Sequence, residues 1–237
     1  MEKTFAMIAL GCAKNLVNSE QMLYLMDEAG YTLVPEPDGA DLVIVNTCGF
    51  IDAAKSEAID AILEMAELKK AGRLGALIVT GCLAERYKDS ILEELPEIDA
   101  VLGVGSFGEI VQAADNVLAG RCTSLFGDQS APIDEIPRIV TTGPGWAYLK
   151  IAEGCDNRCS YCVIPSIRGK YRSRPMENLL REAESFRTSS RSPGSRRRAA
   201  ISRSSFSCPP DMASMASSAS SRGRPRRESS ARTRPAP

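Results

Sequence analysis

Histidine is missing from all 237 residues of the sequence. Without imidazole, the chain cannot form a Ser-His-Asp or Cys-His catalytic system, nor a zinc site with mixed Cys and His ligands. Any chemistry must therefore depend on cysteine, carboxylates, lysine, arginine or a cofactor.

Long apolar runs and targeting segments are missing as well. No stretch of about 18 apolar residues occurs, and the start, MEKTFAMIALGC, has no signal-peptide core. These absences predict a cytoplasmic protein with no membrane partner. In a reducing cytosol, eight cysteines are more typical of metal ligands or buried thiols than of a disulfide framework.

The formal net charge of -1 conceals two halves of opposite sign. Residues 186–237 contain twelve Arg, no Lys and two acidic residues, Asp211 and Glu228, which gives them a net charge of +10. The first 185 residues therefore carry -11. A break of this size indicates a domain boundary.

The first 120 residues alternate short apolar runs with helical patterns, which favours βαβ units around a parallel sheet. Strands are predicted over residues 4–10, 42–46, 76–80 and 100–104, and helices over 18–29, 51–70, 84–95 and 107–118. The fold class predicted for residues 1–120 is thus α/β, with a doubly wound parallel sheet.

The Gly- and Pro-containing stretch 121–145 has the composition of a linker, and a second domain is predicted over 146–185. This domain should open with a strand over 146–151 and a helix over 176–184. Beyond residue 185 the Ser/Arg-rich composition predicts a disordered tail. Such a tail can be interpreted as an RNA-binding arm, or as the product of a shifted reading frame that truncates the second domain.

The segment EGCDNRCSYC places three cysteines, Cys155, Cys159 and Cys162, at the spacing C-x3-C-x2-C. Three thiolates in one short loop can bind three irons of a 4Fe-4S cluster and leave the fourth iron open. An open iron can bind S-adenosylmethionine, whose reductive cleavage gives a 5'-deoxyadenosyl radical. A zinc knuckle or a chance cluster is the alternative, although structural zinc takes four ligands.

A second set of cysteines follows three predicted strands: Cys12, Cys48 and Cys82. The loops after parallel strands meet at the carboxyl edge of a sheet, where ligands bind. The three thiols could therefore converge on a second cluster site. Each one alone could equally be a small buried hydrophobic residue.

LGCAKNLVNSE, VNTCGFIDAAKSE, VTGCLAERY and GCDNRCSYCVIPSIRGKYRSRP resemble the methylthiotransferases, a family of radical S-adenosylmethionine enzymes. The resemblance covers about residues 4–185. It implies two 4Fe-4S clusters, with Cys12, Cys48 and Cys82 as ligands of one and Cys155, Cys159 and Cys162 as ligands of the radical cluster. It also implies that 146–185 begin a radical S-adenosylmethionine (β/α) barrel, in which Tyr161 lies close to the adenosyl group.

Within this family, the LGC-x-KN opening and the GFI after NTC look like the RimO branch. That branch adds a methylthio group to the β-carbon of an aspartate in a small-subunit ribosomal protein, the twelfth. The implied partners are the ribosome or this protein and an electron donor such as flavodoxin or ferredoxin, with nucleic acid secondary. The alternatives are a tRNA adenosine methylthiotransferase and a non-catalytic iron-sulfur protein. No individual catalytic residue is predicted. Family members continue through a nearly complete (β/α) barrel, and because those further strands have no counterpart here, we expect this chain to be unstable or inactive.

Overall fold

The computed structural model describes residues 2–143 and 145–189. These residues all belong to one compact unit. The Ser/Arg-rich tail predicted over 186–237, with both of its functional interpretations, lies outside the described residues from residue 190 onward. None of the described helices is long and apolar enough to cross a membrane.

A six-stranded parallel sheet forms the centre of the fold, which confirms the predicted α/β class. Its strands follow the order β2-β1-β3-β4-β5-β6. The strands are β1 (Thr4–Ala9), β2 (Thr32–Leu33), β3 (Leu42–Thr47), β4 (Ala76–Gly81), β5 (Ala100–Leu102) and β6 (Thr123–Leu125). The four predicted strands correspond to β1, β3, β4 and β5. β6 was not predicted, because it lies within the stretch assigned to a linker.

The two central strands are buried on both faces, as parallel strands covered by helices must be. Every residue of β3 and β4 is buried. Because side chains alternate along a strand, Leu42 and Ile44 pack into one apolar layer while Val43 and Val45 pack into the other. The sheet therefore lies between two hydrophobic cores.

Helices cover both faces of the sheet. Met22, Leu23 and Met26 of the first helix pack into one core, and Ile62 and Met65 of the second pack into the other. The helices of this region are α1 (Ala13–Glu28), α2 (Asp52–Lys70), α3 (Cys82–Tyr87), α4 (Asp89–Glu94) and α5 (Ile110–Leu118), the last preceded by a 3-10 turn at Phe107–Glu109.

Two of the predicted helices differ from the structure. α1 begins five residues before the predicted start, directly after Cys12. The helix predicted over 84–95 is two short helices, because Lys88 between them has a φ of +44°, a conformation that ends a right-handed helix. The helix predicted over 51–70 is confirmed as α2.

The region after residue 146 contains a two-stranded antiparallel ladder and two helices. These are β7 (Ala152–Glu153), α6 (Ile164–Arg168), β8 (Arg172–Ser173) and α7 (Met176–Ser189). The strand predicted over 146–151 was wrong, since a strand needs the hydrogen bonds of a neighbour and β8 pairs with residues 152 and 153 alone. α7 also continues to Ser189, so the disorder predicted for 186–189 was wrong as well.

Candidate metal centre

The cysteines of the N-terminal set follow three neighbouring strands at one edge of the sheet. β1, β3 and β4 are adjacent, and their register pairs Ala9 with Asn46 and Asn46 with Thr80. Cys12 lies three residues after Ala9, the last residue of β1. Cys48 directly follows β3, and Cys82, the first residue of α3, directly follows β4. The expected placement at the carboxyl edge is therefore confirmed, whereas the role of these cysteines as metal ligands stays a prediction.

Glycine lets the first two of these loops approach closely. Gly11 has a φ of +92°, and a methyl group in its place would lie 2.6 Å from Cys48 Cβ and 3.1 Å from Cys48 Sγ. Cys48 and Cys82 are 7% and 5% exposed, while Cys12 is exposed. Two of the thiols are thus enclosed and the third faces the surface.

Asn15, in the first turn of α1, connects all three loops. Its Nδ2 donates hydrogen bonds to the carbonyls of Leu10 (3.1 Å) and Thr47 (2.7 Å), and its Oδ1 lies 3.6 Å from Cys82 Sγ. Asn15 is fully buried. It therefore fixes the β1 and β3 loops relative to the third cysteine.

The C-x3-C-x2-C segment forms a loop between β7 and α6. The Cys155 amide donates to the Gly169 carbonyl at 3.1 Å, and the Cys162 amide donates to the Cys159 carbonyl at 3.0 Å. Cys155 and Cys162 are half-buried and Cys159 is exposed. Tyr161 is 89% exposed, so its side chain extends into solvent beside the cysteines.

Arg168, at the end of α6, joins the two cysteine regions. Its Nη2 lies 3.2 Å from Cys82 Sγ and also donates a hydrogen bond to Asn15 Oδ1, while its Nη1 donates to Glu153 Oε2 at 3.0 Å. The residue is 2% exposed. A guanidinium that follows the C-x3-C-x2-C loop thus contacts a thiol of the N-terminal set.

Glu153 lies at the centre of the charged groups around Arg168. Its carboxylate accepts hydrogen bonds from Arg168 and from Lys14 Nζ (3.3 Å), and Lys150 Nζ lies 3.5 Å away. Lys150 Nζ also donates to Asn18 Oδ1 at 2.7 Å. Three cations around one carboxylate leave a local excess of positive charge next to the buried thiols.

Burial and charge shift the pKa values of these groups. Burial raises the pKa of the Cys48 and Cys82 thiols, and the Arg168 charge partly opposes that rise. Burial would also raise the pKa of Glu153, but Arg168, Lys150 and Lys14 outweigh it and lower the pKa to about 2. Burial lowers the pKa of Lys150 to about 8 in spite of the nearby Glu153. Glu153 is therefore ionised at neutral pH.

The donor set fits iron-sulfur clusters, which take cysteine thiolates as ligands. Among the residues that the structure describes, no three Cys, Asp or Glu side chains lie close enough together to hold a single metal ion. A 4Fe-4S cube binds each thiolate to a different iron, so its ligands lie farther apart than those of one ion. Both cysteine sets are thus chemically suited to a cluster.

Sequence reasoning missed the buried polar residues of the site. The basic residues of SIRGKYRSRP, after the cysteine loop, have the pattern of a solvated charge run. Arg168 is instead buried against Cys82, and Arg174 pairs with Glu135 and Glu182. No sequence pattern marked Lys150 or Glu153 as site residues, because each is only a charged residue within an apolar stretch.

The fold and the site together define a class of protein. A parallel α/β domain with thiols at the carboxyl edge of three adjacent strands is joined here to a C-x3-C-x2-C loop. The resemblance to the methylthiotransferases was based on the sequence motifs that contain these six cysteines.

Comparison with known proteins confirms this resemblance. Residues 4–103 match the model described as "Uncharacterized protein family UPF0004". The ribosomal protein uS12 methylthiotransferase RimO of Thermoanaerobacter sp. (strain X514) is 51% identical over 183 residues, which are 77% of this chain and 42% of the relative. The protein of the same name from Lachnoclostridium phytofermentans is 54% identical over 179 residues, 75% of this chain and 40% of the relative.

A third relative of the same name, from Clostridioides difficile (strain 630), is 47% identical over 184 residues. These matches support the RimO branch over the tRNA-modifying branch. The chain spans about two fifths of the length of these curated relatives.

Proposed function

We propose that this chain binds two 4Fe-4S clusters and acts as part of a methylthiotransferase directed at an aspartate β-carbon of ribosomal protein uS12. Each cluster takes three thiolates, from Cys12, Cys48 and Cys82 in one site and from Cys155, Cys159 and Cys162 in the other. The observation that carries the proposal is the contact of Arg168 with Cys82, because it brings the two cysteine regions together in one folded unit.

The residues of the chain have separate tasks in this proposal. A reduced 4Fe-4S cluster with one open iron supplies the electron that cleaves S-adenosylmethionine. Cys155, Cys159 and Cys162 would hold that cluster in a loop close to the surface, and the exposed Tyr161 beside them would contact the adenosyl group. An electron donor such as flavodoxin or ferredoxin can reach this exposed loop.

The first test is the iron and sulfide content of the anaerobically reconstituted chain, followed by electron paramagnetic resonance with and without S-adenosylmethionine. We expect about eight irons per chain and a spectrum that shifts with S-adenosylmethionine. Replacing Cys155, Cys159 and Cys162 by Ala should remove about four irons and abolish the shift. About four irons and no shift in the parent chain would contradict the two-cluster proposal.

Turnover needs a separate measurement. Release of 5'-deoxyadenosine by the reduced, loaded chain, together with an added methylthio group on an aspartate of uS12 in mass spectrometry, would show that the chain is active, against the expectation from its sequence. Two full clusters with no 5'-deoxyadenosine would identify a non-catalytic iron-sulfur protein instead. A methylthio group on tRNA adenosine, with uS12 unmodified, would favour the tRNA-modifying alternative.

A further inference from the structure

Arg168 is a buried cation whose contacts go beyond holding its own loop. It lies six residues after Cys162, yet its Nη2 points away from that loop to Cys82 Sγ at 3.2 Å. The other terminal nitrogen of the guanidinium, Nη1, donates a hydrogen bond to Glu153 Oε2 at 3.0 Å. The guanidinium therefore has a fixed orientation, with one N–H directed at a sulfur of the N-terminal set.

The surroundings hold Arg168 in that orientation. The Asn15 side chain accepts from the same Nη2 while it donates to the backbone carbonyl of Thr47, next to Cys48. On the opposite side, Lys14 donates to the Ala152 carbonyl at 3.0 Å and to Glu153. Arg168, Asn15 and Glu153 are all buried, so little water competes for these hydrogen bonds.

A hydrogen bond and a positive charge at a ligand sulfur raise the reduction potential of an iron-sulfur cluster, since reduction adds negative charge to it. We propose that Arg168 is a positioning residue that donates a hydrogen bond to the Cys82 ligand sulfur, raises the reduction potential of the N-terminal cluster and ties the radical-cluster loop to it. This inference rests on the proposed function, because it requires a cluster at Cys12, Cys48 and Cys82.

The test uses the full chain in which Cys155, Cys159 and Cys162 are replaced by Ala, so that the spectrum reports the N-terminal cluster alone. A redox titration followed by electron paramagnetic resonance compares this parent with Arg168→Met and Arg168→Lys. We expect a more negative midpoint potential in Arg168→Met, which keeps the side-chain volume but loses both charge and donor. Arg168→Lys should lie between the two, because it keeps the charge.

Arg174→Met is the matched control. The Arg174 side chain is only 8% exposed and, like that of Arg168, is bound to carboxylates, but its ion pairs are with Glu135 and Glu182. Its loss should lower stability without moving the potential. A purely structural effect would change the two methionine variants alike.

The outcomes separate the two proposals. Equal potentials in the parent and in Arg168→Met would overturn the role of Arg168 and leave the cluster proposal intact. Loss of iron in Arg168→Met, with iron retained in Arg168→Lys and Arg174→Met, would support the positioning role. Loss of iron in all three variants would overturn it. No iron in the parent would remove the proposed N-terminal cluster and this inference together.

Discussion

Gly11 is the residue on which the close approach of the Cys12 and Cys48 loops depends. Gly11→Ala would combine the strain of a positive φ, about 1–2 kcal/mol, with a methyl group 2.6 Å from Cys48 Cβ. We expect Cys48 to be displaced and iron content to fall by about four per chain, because one thiolate leaves the N-terminal set. Iron analysis after reconstitution measures this.

Gly30→Ala provides the control for Gly11→Ala. Gly30 has a φ of +84°, and a methyl group there would meet nothing within 4 Å. The substitution introduces the same backbone strain without the clash, so the iron content should remain at the parent value. If both variants lost iron equally, strain rather than the displacement of Cys48 would be the cause.

Asn15 is the second residue whose loss should affect the site, through stability. Asn15→Ala would leave the carbonyls of Leu10 and Thr47 without the Asn15 donor and Arg168 Nη2 without its oxygen acceptor, although Arg168 Nη1 would keep Glu153. An unsatisfied buried polar group costs about 1–3 kcal/mol, so we expect a loss of roughly 3 kcal/mol in the free energy of unfolding, measured by urea denaturation of the apo chain.

Asn116→Ala is the comparison for Asn15→Ala. The Asn116 side chain accepts hydrogen bonds from the exposed Arg121. Its removal should change the free energy of unfolding by no more than about 0.5 kcal/mol. Equal losses of unfolding free energy in the two variants would mean that the hydrogen bonds of the buried Asn15 contribute no more to stability than those of the Asn116 side chain.

At the scale of elements, a chain of ion pairs fastens the region after residue 130 to the N-terminal domain. Arg138 pairs with Glu20 of α1 and with Glu182 of α7, and Arg174 pairs with Glu182 and Glu135. Glu20 also accepts hydrogen bonds from the amide and hydroxyl of Thr141. These contacts explain why the stretch predicted as a linker, residues 121–145, packs against α1 although it has little regular structure.

Glu135 makes part of this stability dependent on pH. Hydrogen bonds from Arg174 lower the pKa of Glu135 below its usual 4.5, although partial burial opposes the shift. Because the folded pKa is depressed, this contribution to stability is complete above about pH 4.5 and is lost as the pH falls through the folded pKa. Glu135→Gln should therefore flatten the acid side of a plot of unfolding free energy against pH.

The same substitution made together with Arg174→Gln tests the cause. Once the guanidinium is absent, Glu135→Gln should leave the acid side of the plot unchanged, because the pKa of Glu135 is no longer held down by Arg174. Urea denaturation at several pH values below 6 measures both slopes. An equal flattening in the two backgrounds would assign the effect to a different group.

The sheet was predictable because β3 and β4 are continuous apolar runs, and a parallel sheet demands nothing else of its central strands. The start of α1 was not, because polar residues are buried there beside Leu16 and Val17. Asn15, Asn18 and Glu20 face the rest of the protein: Asn15 donates a hydrogen bond to another segment, and Asn18 and Glu20 accept hydrogen bonds from other segments. A search for apolar periodicity cannot recognise such a face.

The cysteines of the site could be predicted from their spacing and their positions after strands, but their surroundings could not. Arg168 and Cys82 are 86 residues apart in the sequence, and their contact depends on how α6 packs against α3. No local pattern encodes such a long-range contact. The same is true of Lys150 with Asn18, which are 132 residues apart.

At the scale of the whole molecule, charge is distributed unevenly. Residues 1–185 carry a net charge of -11, yet Arg168 contacts the buried Cys82 thiol, and Lys14 and Lys150 lie beside Glu153, the carboxylate that pairs with Arg168. Thiolates bound to iron carry negative charge, and buried negative charge is stable when cations lie close to it. The positive groups in this acidic part of the chain thus lie where they would stabilise cluster-bound thiolates.

The second half of the described chain has large apolar side chains on its surface. The most exposed of them in this region, apart from Tyr161, are Trp146, Ile151, Tyr171, Met176 and Leu180, at 54–64% exposure. The rings of Trp146 and Tyr148 adjoin one another, with centroids 5.2 Å apart, and an exposed apolar surface of this kind normally packs against another element or partner. The curated relatives are more than twice as long as the segment they share with this chain.

Trp146 can report whether this surface is open in the chain itself, because it is the single tryptophan. At 56% exposure, its fluorescence in the folded apo chain should be red-shifted, strongly quenched by acrylamide and little changed by unfolding in urea. The neutral quencher avoids repulsion by the acidic domain. Blue-shifted emission that moves to the red on unfolding would show that the surface is covered. If that blue shift disappeared on dilution, the cover would be a second copy of the chain, because self-association weakens with concentration.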